Sequence, residues 1–241
     1  MTTALVWISG ASGGIGQALA KTVPWDGARV IGINRQPAKG SIEHLEADLA
    51  DPLTWPAIGA AFRREMEEFD GDHLAFIHAA GTVEPMGFAA EVDSDAYLPN
   101  VVLNSAAPQV LGQLFLAAAQ SVDARRYLVM LTSGAAKTVY PGWASYGAGK
   151  AAIDQWVRNT GAEQSQRGGV TVLAVAPGTV DTAMQHRLRN TSEHDFPSRG
   201  KFVDVHAQGK LSDPEQIAGK IWALLDRDLD NGSVVDLRKL D

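Results

Sequence analysis

The sequence predicts an α/β fold: one doubly wound domain whose seven-stranded, mostly parallel sheet carries helices on both faces. Three observations lead there. Short β-branched runs alternate with longer segments of helical periodicity along the whole chain. A glycine-rich turn, Ser9-Gly10-Ala11-Ser12-Gly13-Gly14-Ile15-Gly16, joins the first run to the first helical segment. Finally, 241 residues that are 45% hydrophobic and 20% charged suit a single large core, with no repeat or linker-like stretch.

Leu5-Val6-Trp7-Ile8 reads as the first buried strand, after which Ile15, Ala18, Leu19 and Val23 recur at helical spacing up to Pro24. Arg29 to Ile33 is the second strand and Ile42 to Glu46 a short third. Pro52 suits the first turn of a helix through Phe62 and Met66 to Phe69. Leu74 to Ile77 is the fourth strand, and a long helix is expected from about Asn104 to Gln120. Tyr127 to Leu131 is the fifth, followed by a helix from about Trp143 to Gln166 and by Val170 to Val175 as the sixth. Asp213-Pro214 opens a last helix to Leu225, and Ser233 to Val235 closes the sheet as an edge strand. The segment from about 184 to 211 has no assigned structure. It reads as a substrate loop inside the same domain (1–241), because long loops in compact domains are commonly functional.

Composition removes several classes. A net charge of −7 without a basic run speaks against nucleic acid or an anionic membrane as partner. Without cysteine there is neither a disulfide nor a thiolate metal site, and the six histidines form no H-x-x-x-H or H-E-x-x-H pattern, so no metal is expected. Met1-Thr2-Thr3 lacks a signal peptide's basic start, and no stretch reads as about 20 consecutive apolar residues, so cytoplasmic is the default expectation.

The glycines at 10, 14 and 16 are spaced G-x-x-x-G-x-G. A pyrophosphate needs a tight turn without Cβ atoms, opening directly onto the N–H groups and positive dipole of a helix. Taken alone, the segment could be a plain glycine-rich turn. After a first strand in a βα chain it predicts a Rossmann-type dinucleotide cradle that includes Ser12, Gly13 and Ile15. The second strand ends Asn34-Arg35, with no carboxylate for a ribose 2′-hydroxyl. Arg35 can pair with a 2′-phosphate, which favours NADP(H) and leaves NAD(H) possible.

Ser133 ends the fifth strand, and Tyr146 follows 13 residues later. Lys150 lies one helical turn beyond Tyr146 on the same face. Hydride transfer to a ketone leaves an alkoxide that must be protonated as it forms. A phenol titrates near 10, so a neighbouring ammonium is expected to lower Tyr146, while the Ser133 hydroxyl supports the developing charge.

Together these motifs resemble the short-chain dehydrogenases/reductases, whose T-G-x-x-x-G-x-G turn is matched with Ser9 in the threonine's place. Gly13 stands where NADP-preferring members often carry a second basic residue. Asp48-Leu49 resembles the family's adenine-contacting pair. His78-Ala79-Ala80-Gly81 resembles its N-N-A-G segment, with His78 in place of asparagine. Ala176-Pro177-Gly178-Thr179-Val180-Asp181-Thr182 is similar to its P-G-x-V-x-T segment, which implies that Pro177, Gly178, Val180 and Thr182 meet the nicotinamide carboxamide. The resemblance further implies that Lys150 holds the nicotinamide ribose and that Asn104 is a fourth catalytic residue. Asn100, four residues earlier, is a rival that precedes the expected helix, and a helix N-cap is the plainer role for Asn104.

The resemblance runs from Leu5 to Val235. Thr132 to Lys137, Pro141-Gly142-Trp143 and Asp181 to Gln185 are most similar to the sepiapterin-reductase-like branch, especially to benzil reductases that form (S)-benzoin. This implies a bulky or aromatic 1,2-dicarbonyl, or a pterin side-chain carbonyl, as the small-molecule substrate. Tyr140, Trp143 and Met184, with Phe196 or Phe202, are candidate pocket walls. Asp181, Glu84 and Asp195 are the carboxylates near enough in sequence to serve a pterin. The resemblance also implies a homodimer or homotetramer, with Val110 to Ala119 as a candidate surface. The competing readings are an NAD-linked alcohol dehydrogenase on the same fold and a non-catalytic nucleotide-sensing module.

Overall fold

In the computed structural model, which describes residues 3–40 and 42–240, seven strands hydrogen-bond into one sheet. They are β1 (Ala4–Ser9), β2 (Arg29–Asn34), β3 (Glu43–Glu46), β4 (His73–His78), β5 (Arg125–Leu131), β6 (Thr171–Ala176) and β7 (Val234–Asp236). The order is β3-β2-β1-β4-β5-β6-β7, and every pairing is parallel, the closing β7 included. The sheet is therefore wholly rather than mostly parallel. Both faces are covered, so β1 is buried at all six positions and reads as a continuous apolar run rather than an alternation.

Helices α1 (Gly14–Lys21) and α8 (Pro214–Ala223) pack on the face carrying Val6, Ile8, Ile77, Val129 and Leu173. Helices α2 (Trp55–Glu67), α4 (Ala107–Ala118) and α5 (Ala144–Arg167) cover the face of Trp7, Phe76, Leu128 and Met130. Strand order reverses between β1 and β4, the place where folds of this kind take a ligand beyond the carboxyl ends of the strands.

Two expectations need correction. The long helix starts earlier than Asn104: α3 (Ser94–Val101) is capped by Asp93, continues through a π turn over Val102–Ala106, and leads into α4. Pro99 lies inside α3, where a proline ordinarily ends a helix, and Pro108 in the first turn of α4, where it is tolerated. The continuous run Ser94–Ala118 is also long and apolar enough, by length and composition, to cross a membrane, contrary to the expectation from the sequence. Here it packs beside α2 and α5, with Ala107, Leu111 and Phe115 buried in the sheet core.

Second, the segment 184–211 is largely helical. It comprises most of α6 (Ala183–Asn190), whose N-cap Thr182 accepts from the Gln185 amide, and all of α7 (Arg199–Ala207). A separate apolar cluster forms beneath it from Trp143, Phe196, Phe202, Leu188 and Val83. Burial of large rings drives that folding, a signal that helical periodicity does not carry.

Candidate active site

At the end of β1 the chain turns through Gly10 at φ +73°, whose amide donates to the Ile33 carbonyl at 3.1 Å. A Cβ at Gly10 would sit 2.9 Å from the Ala80 nitrogen, and one at Gly16 would collide with the Gly10 carbonyl oxygen. Gly14, at φ +52°, lies against Thr182, so the glycine turn and the loop after β6 meet. Helix α1 starts after Gly13 with no side-chain cap and no acid in its first turn, which leaves its amides free for an anion. Ser12 and Gly13 are exposed beside it and Ile15 is half-buried. This cradle fits a dinucleotide pyrophosphate.

Ser9 Oγ accepts from the Ala79 and Ala80 amides at 3.1 and 3.2 Å, so its own proton goes to His78 Nδ1 at 3.1 Å. Nδ1 is then the acceptor and Nε2 carries the ring proton, buried and without a partner among the described residues. Burial, helped by the Lys150 charge, pushes His78 down to about 3, so the ring is neutral. Ala79, where the N-N-A-G pattern has its second asparagine, offers only backbone to a cofactor.

Arg35 projects into solvent from the end of β2, with Nη1 4.0 Å from Asp48 Oδ2. Asp48 Oδ1 accepts from the Ala50 amide, while Leu49 is buried. Asn34 turns inward: its amide side chain is buried without a partner among the described residues, and its carbonyl oxygen accepts from the Ala47 amide at 3.1 Å.

Ser133 follows β5 and opens a 3₁₀ turn, Gly134–Ala136. Tyr146 and Lys150 are both buried on the inner face of α5, the ammonium 5.7 Å from the phenol ring centre. Lys150 Nζ donates to the Leu131 carbonyl at 2.9 Å. Burial raises the Tyr146 phenol, and the facing Ser133 hydroxyl only opposes it. Lys150 is lowered by burial to about 8, with Asp154 pulling the other way. The acidified phenol expected from the sequence is thus not a property of the chain alone: with the ammonium itself desolvated, Tyr146 stays above its ordinary value and holds its proton.

Asn104 sits in the π turn rather than at a helix N-cap. Its Nδ2 donates to the Thr82 carbonyl at 2.7 Å and to Asn100 Oδ1 at 3.0 Å, and its Oδ1 accepts from the Thr82 amide at 3.1 Å. Asn100 lies within α3, where it donates to the Glu84 carbonyl at 2.6 Å, so the supposed rivals belong to one network. Gly81 makes room here. A Cβ on it would be 3.0 Å from Asn104 Oδ1 and 3.5 Å from Lys150 Nζ.

Pro177 and Gly178 are half-buried past β6, and Val180 is buried and bridged to Ser212. Tyr140 and Met184 are half-buried, whereas Trp143 is buried and stacks on Phe196 at 4.5 Å. Trp143, Phe196 and Phe202 therefore form the interior of a cap, not an open wall. Of the acids considered for a pterin, Asp181 is exposed, Glu84 pairs with Arg187, and Asp195 is bound by Ser192 and His194. Among the described residues no cluster of three or more His, Asp or Glu could hold a metal. Arg238 is the residue a sequence scan passes over. Clamped by Asp236 at 2.9 and 2.6 Å, it lies beside Gly134 and Gly178, from a C-terminal turn without a motif.

A family profile described as short chain dehydrogenase matches residues 4–193. The chain belongs to that family. It is 32% identical over 236 residues to benzil reductase ((S)-benzoin forming) of Bacillus subtilis, covering 96% of this chain and 97% of that one. It is 28% identical over 240 residues to sepiapterin reductase of Xenopus tropicalis, covering 92% and 90%. The crystal structure of the KRED1-Pglu enzyme shares the fold with a TM-score of 0.81 at 24% identity, covering 97% of this chain and all of that one. As a short-chain dehydrogenase with reductase relatives, the protein is an NAD(P)-dependent oxidoreductase.

Proposed function

We propose that this short-chain dehydrogenase is an NADPH-dependent carbonyl reductase. Its substrate is a ketone, foremost a bulky or aromatic 1,2-dicarbonyl, and its catalytic residues are Ser133, Tyr146, Lys150 and Asn104. The observation that carries the reading is a buried phenol, raised above its ordinary value and so protonated, that faces the Ser133 hydroxyl and has the Lys150 ammonium 5.7 Å from its ring centre.

Bound NADPH supplies the hydride. The glycine turn and the amides of α1 would hold its pyrophosphate, Arg35 would pair with a 2′-phosphate, and Asp48 and Leu49 would contact the adenine. The backbone of 79–81 would line the cofactor's path, and Pro177, Gly178, Val180 and Thr182 would hold the carboxamide. Ser133 Oγ donates to the substrate carbonyl oxygen and orients it. Tyr146 gives that oxygen its proton as charge develops, a step favoured by a phenol that has not ionised beforehand. The Lys150 ammonium stabilises the phenolate left behind, and the Asn104 network holds the exit from which a proton returns.

The names of the relatives, benzil and sepiapterin reductase, support a ketone beside a second carbonyl or a ring, and the half-buried Tyr140 and Met184 border the apolar cluster that contains Tyr146. Tyr146→Phe should lower kcat for NADPH oxidation on the order of 10²–10⁴-fold while leaving NADPH binding within about twofold. Retention of the parent rate refutes the assignment. A panel of diketones, pterins and aldehydes ranks the substrates, and Arg35→Ser should erode the preference for NADPH over NADH.

A further inference from the structure

We propose that Asp154 is a positioning residue for Lys150: a buried carboxylate, one turn further along the same inner face of α5, that serves as the counter-charge of the active-site ammonium. The inference rests on the role given to Lys150 above. It starts from a group that the mechanism leaves unused. Tyr146, Lys150 and Asp154 recur at four-residue spacing on the inner face of α5, together with Ile153 and Val157. Asp154 is 4% exposed, and its Oδ1 has no hydrogen-bond partner among the described residues. Its Oδ2 reaches Arg158 Nη2 only at 3.9 Å, and that arginine is half in solvent. A carboxylate buried with so little local compensation is costly unless a cation shares its surroundings.

Among the described residues, the other elements packed on α5 bring no further buried, unpaired charge to this interior. The π turn, α4, β6 and the turn Gly134–Ala136 contain no charged side chain. On α3 the one acid, Asp95, is exposed. On β7, Asp236 is held by Arg238. From the sheet, His78 is neutral, and Arg125 and Arg126 stand at the far end of β5. Asp154 is thus the buried acid that faces the same interior as Lys150. Burial alone disfavours the ammonium, and Asp154 draws it back toward the charged form. An ammonium with that counter-charge keeps its proton over more of the working range, and with it its hold on the Tyr146 phenolate.

The test is the pH profile of kcat/KM for NADPH-dependent diketone reduction by the full-length protein. Asp154→Asn should move the alkaline limb down by about one pH unit and leave the rate at pH 6 within about twofold. Asp154→Glu should restore the limb. Arg158→Gln, which frees the carboxylate from its weak partner, should move it upward by a fraction of a unit. An Asp154→Asn profile that superposes on the parent's overturns the proposal, and so does one lowered by the same factor at every pH. If Asp154→Asn does not fold, Arg158→Gln decides: an upward shift supports the assignment and an unmoved limb overturns it. Failure of the underlying reading has a different signature, full activity in Tyr146→Phe at a single pH.

Discussion

Around Asn104 the polar atoms are held by named partners. Thr82 both donates and accepts, Asn100 accepts, and Gly81 and Gly149 leave the space that lets the π turn and α5 meet. Around Trp143 the holding is done by rings: Phe196 at 4.5 Å, Tyr146 at 5.0 Å and Tyr140 at 5.2 Å. The polar contacts there are peripheral, chiefly Lys201 donating to the Tyr140 hydroxyl at 2.8 Å. Hydrogen bonds fix direction, whereas apolar rings fix volume and tolerate repacking. The floor of the cleft therefore suits a step that needs atoms in one place. The cap suits the recognition of shape, and can change with substrate while the chemistry stays.

Gly16→Ala is the harshest challenge to that division, because its Cβ would collide with a backbone oxygen that cannot swing aside. NADPH affinity should fall on the order of 100-fold, since the turn and the amides of α1 must part. This is measurable by fluorescence titration. If only the ketone KM changed, the floor would not be the rigid half.

Phe196→Ala attacks the other side. The ring is fully buried, and its removal should cost about 3–5 kcal/mol of cap packing. We expect KM for a bulky diketone to rise about tenfold with NADPH affinity unchanged, and KM for a small aldehyde to move much less. Equal losses for the diketone and the aldehyde, or weakened NADPH binding, would show that floor and cap are one unit.

The same contrast explains what the sequence revealed. The glycine turn, Ser133, Tyr146 and Lys150 are legible because a close backbone approach and a one-turn helical spacing leave fixed marks in a linear string. Asn104 is legible as a residue but not as a conformation, since nothing in Val102–Ala106 announces a π turn between two proline-bearing helices. α6 and α7 escape because their hydrophobics answer to partners in a distant loop, not to their own periodicity. Asp154 and Arg238 escape too. A charge on a helix or near a chain end reads as solvated until the fold shows what lies beside it.

His78→Asn probes the floor most gently. In the folded chain the imidazole is held near 3, against an ordinary value of 6.5. A depressed basic group takes up its proton more readily when unfolded, so its contribution is present above about pH 6.5 and is lost as pH falls toward 3. Between pH 7 and 5 that loss is on the order of 2 kcal/mol. Asparagine does not titrate, yet its amide can still accept from Ser9. Urea midpoints measured at both pH values should therefore converge in the variant and separate in the parent, with NADPH binding at pH 7 preserved within a few fold. A variant as acid-sensitive as the parent would move the acid lability elsewhere, most directly to His73, whose ring burial also depresses from the edge of the same strand.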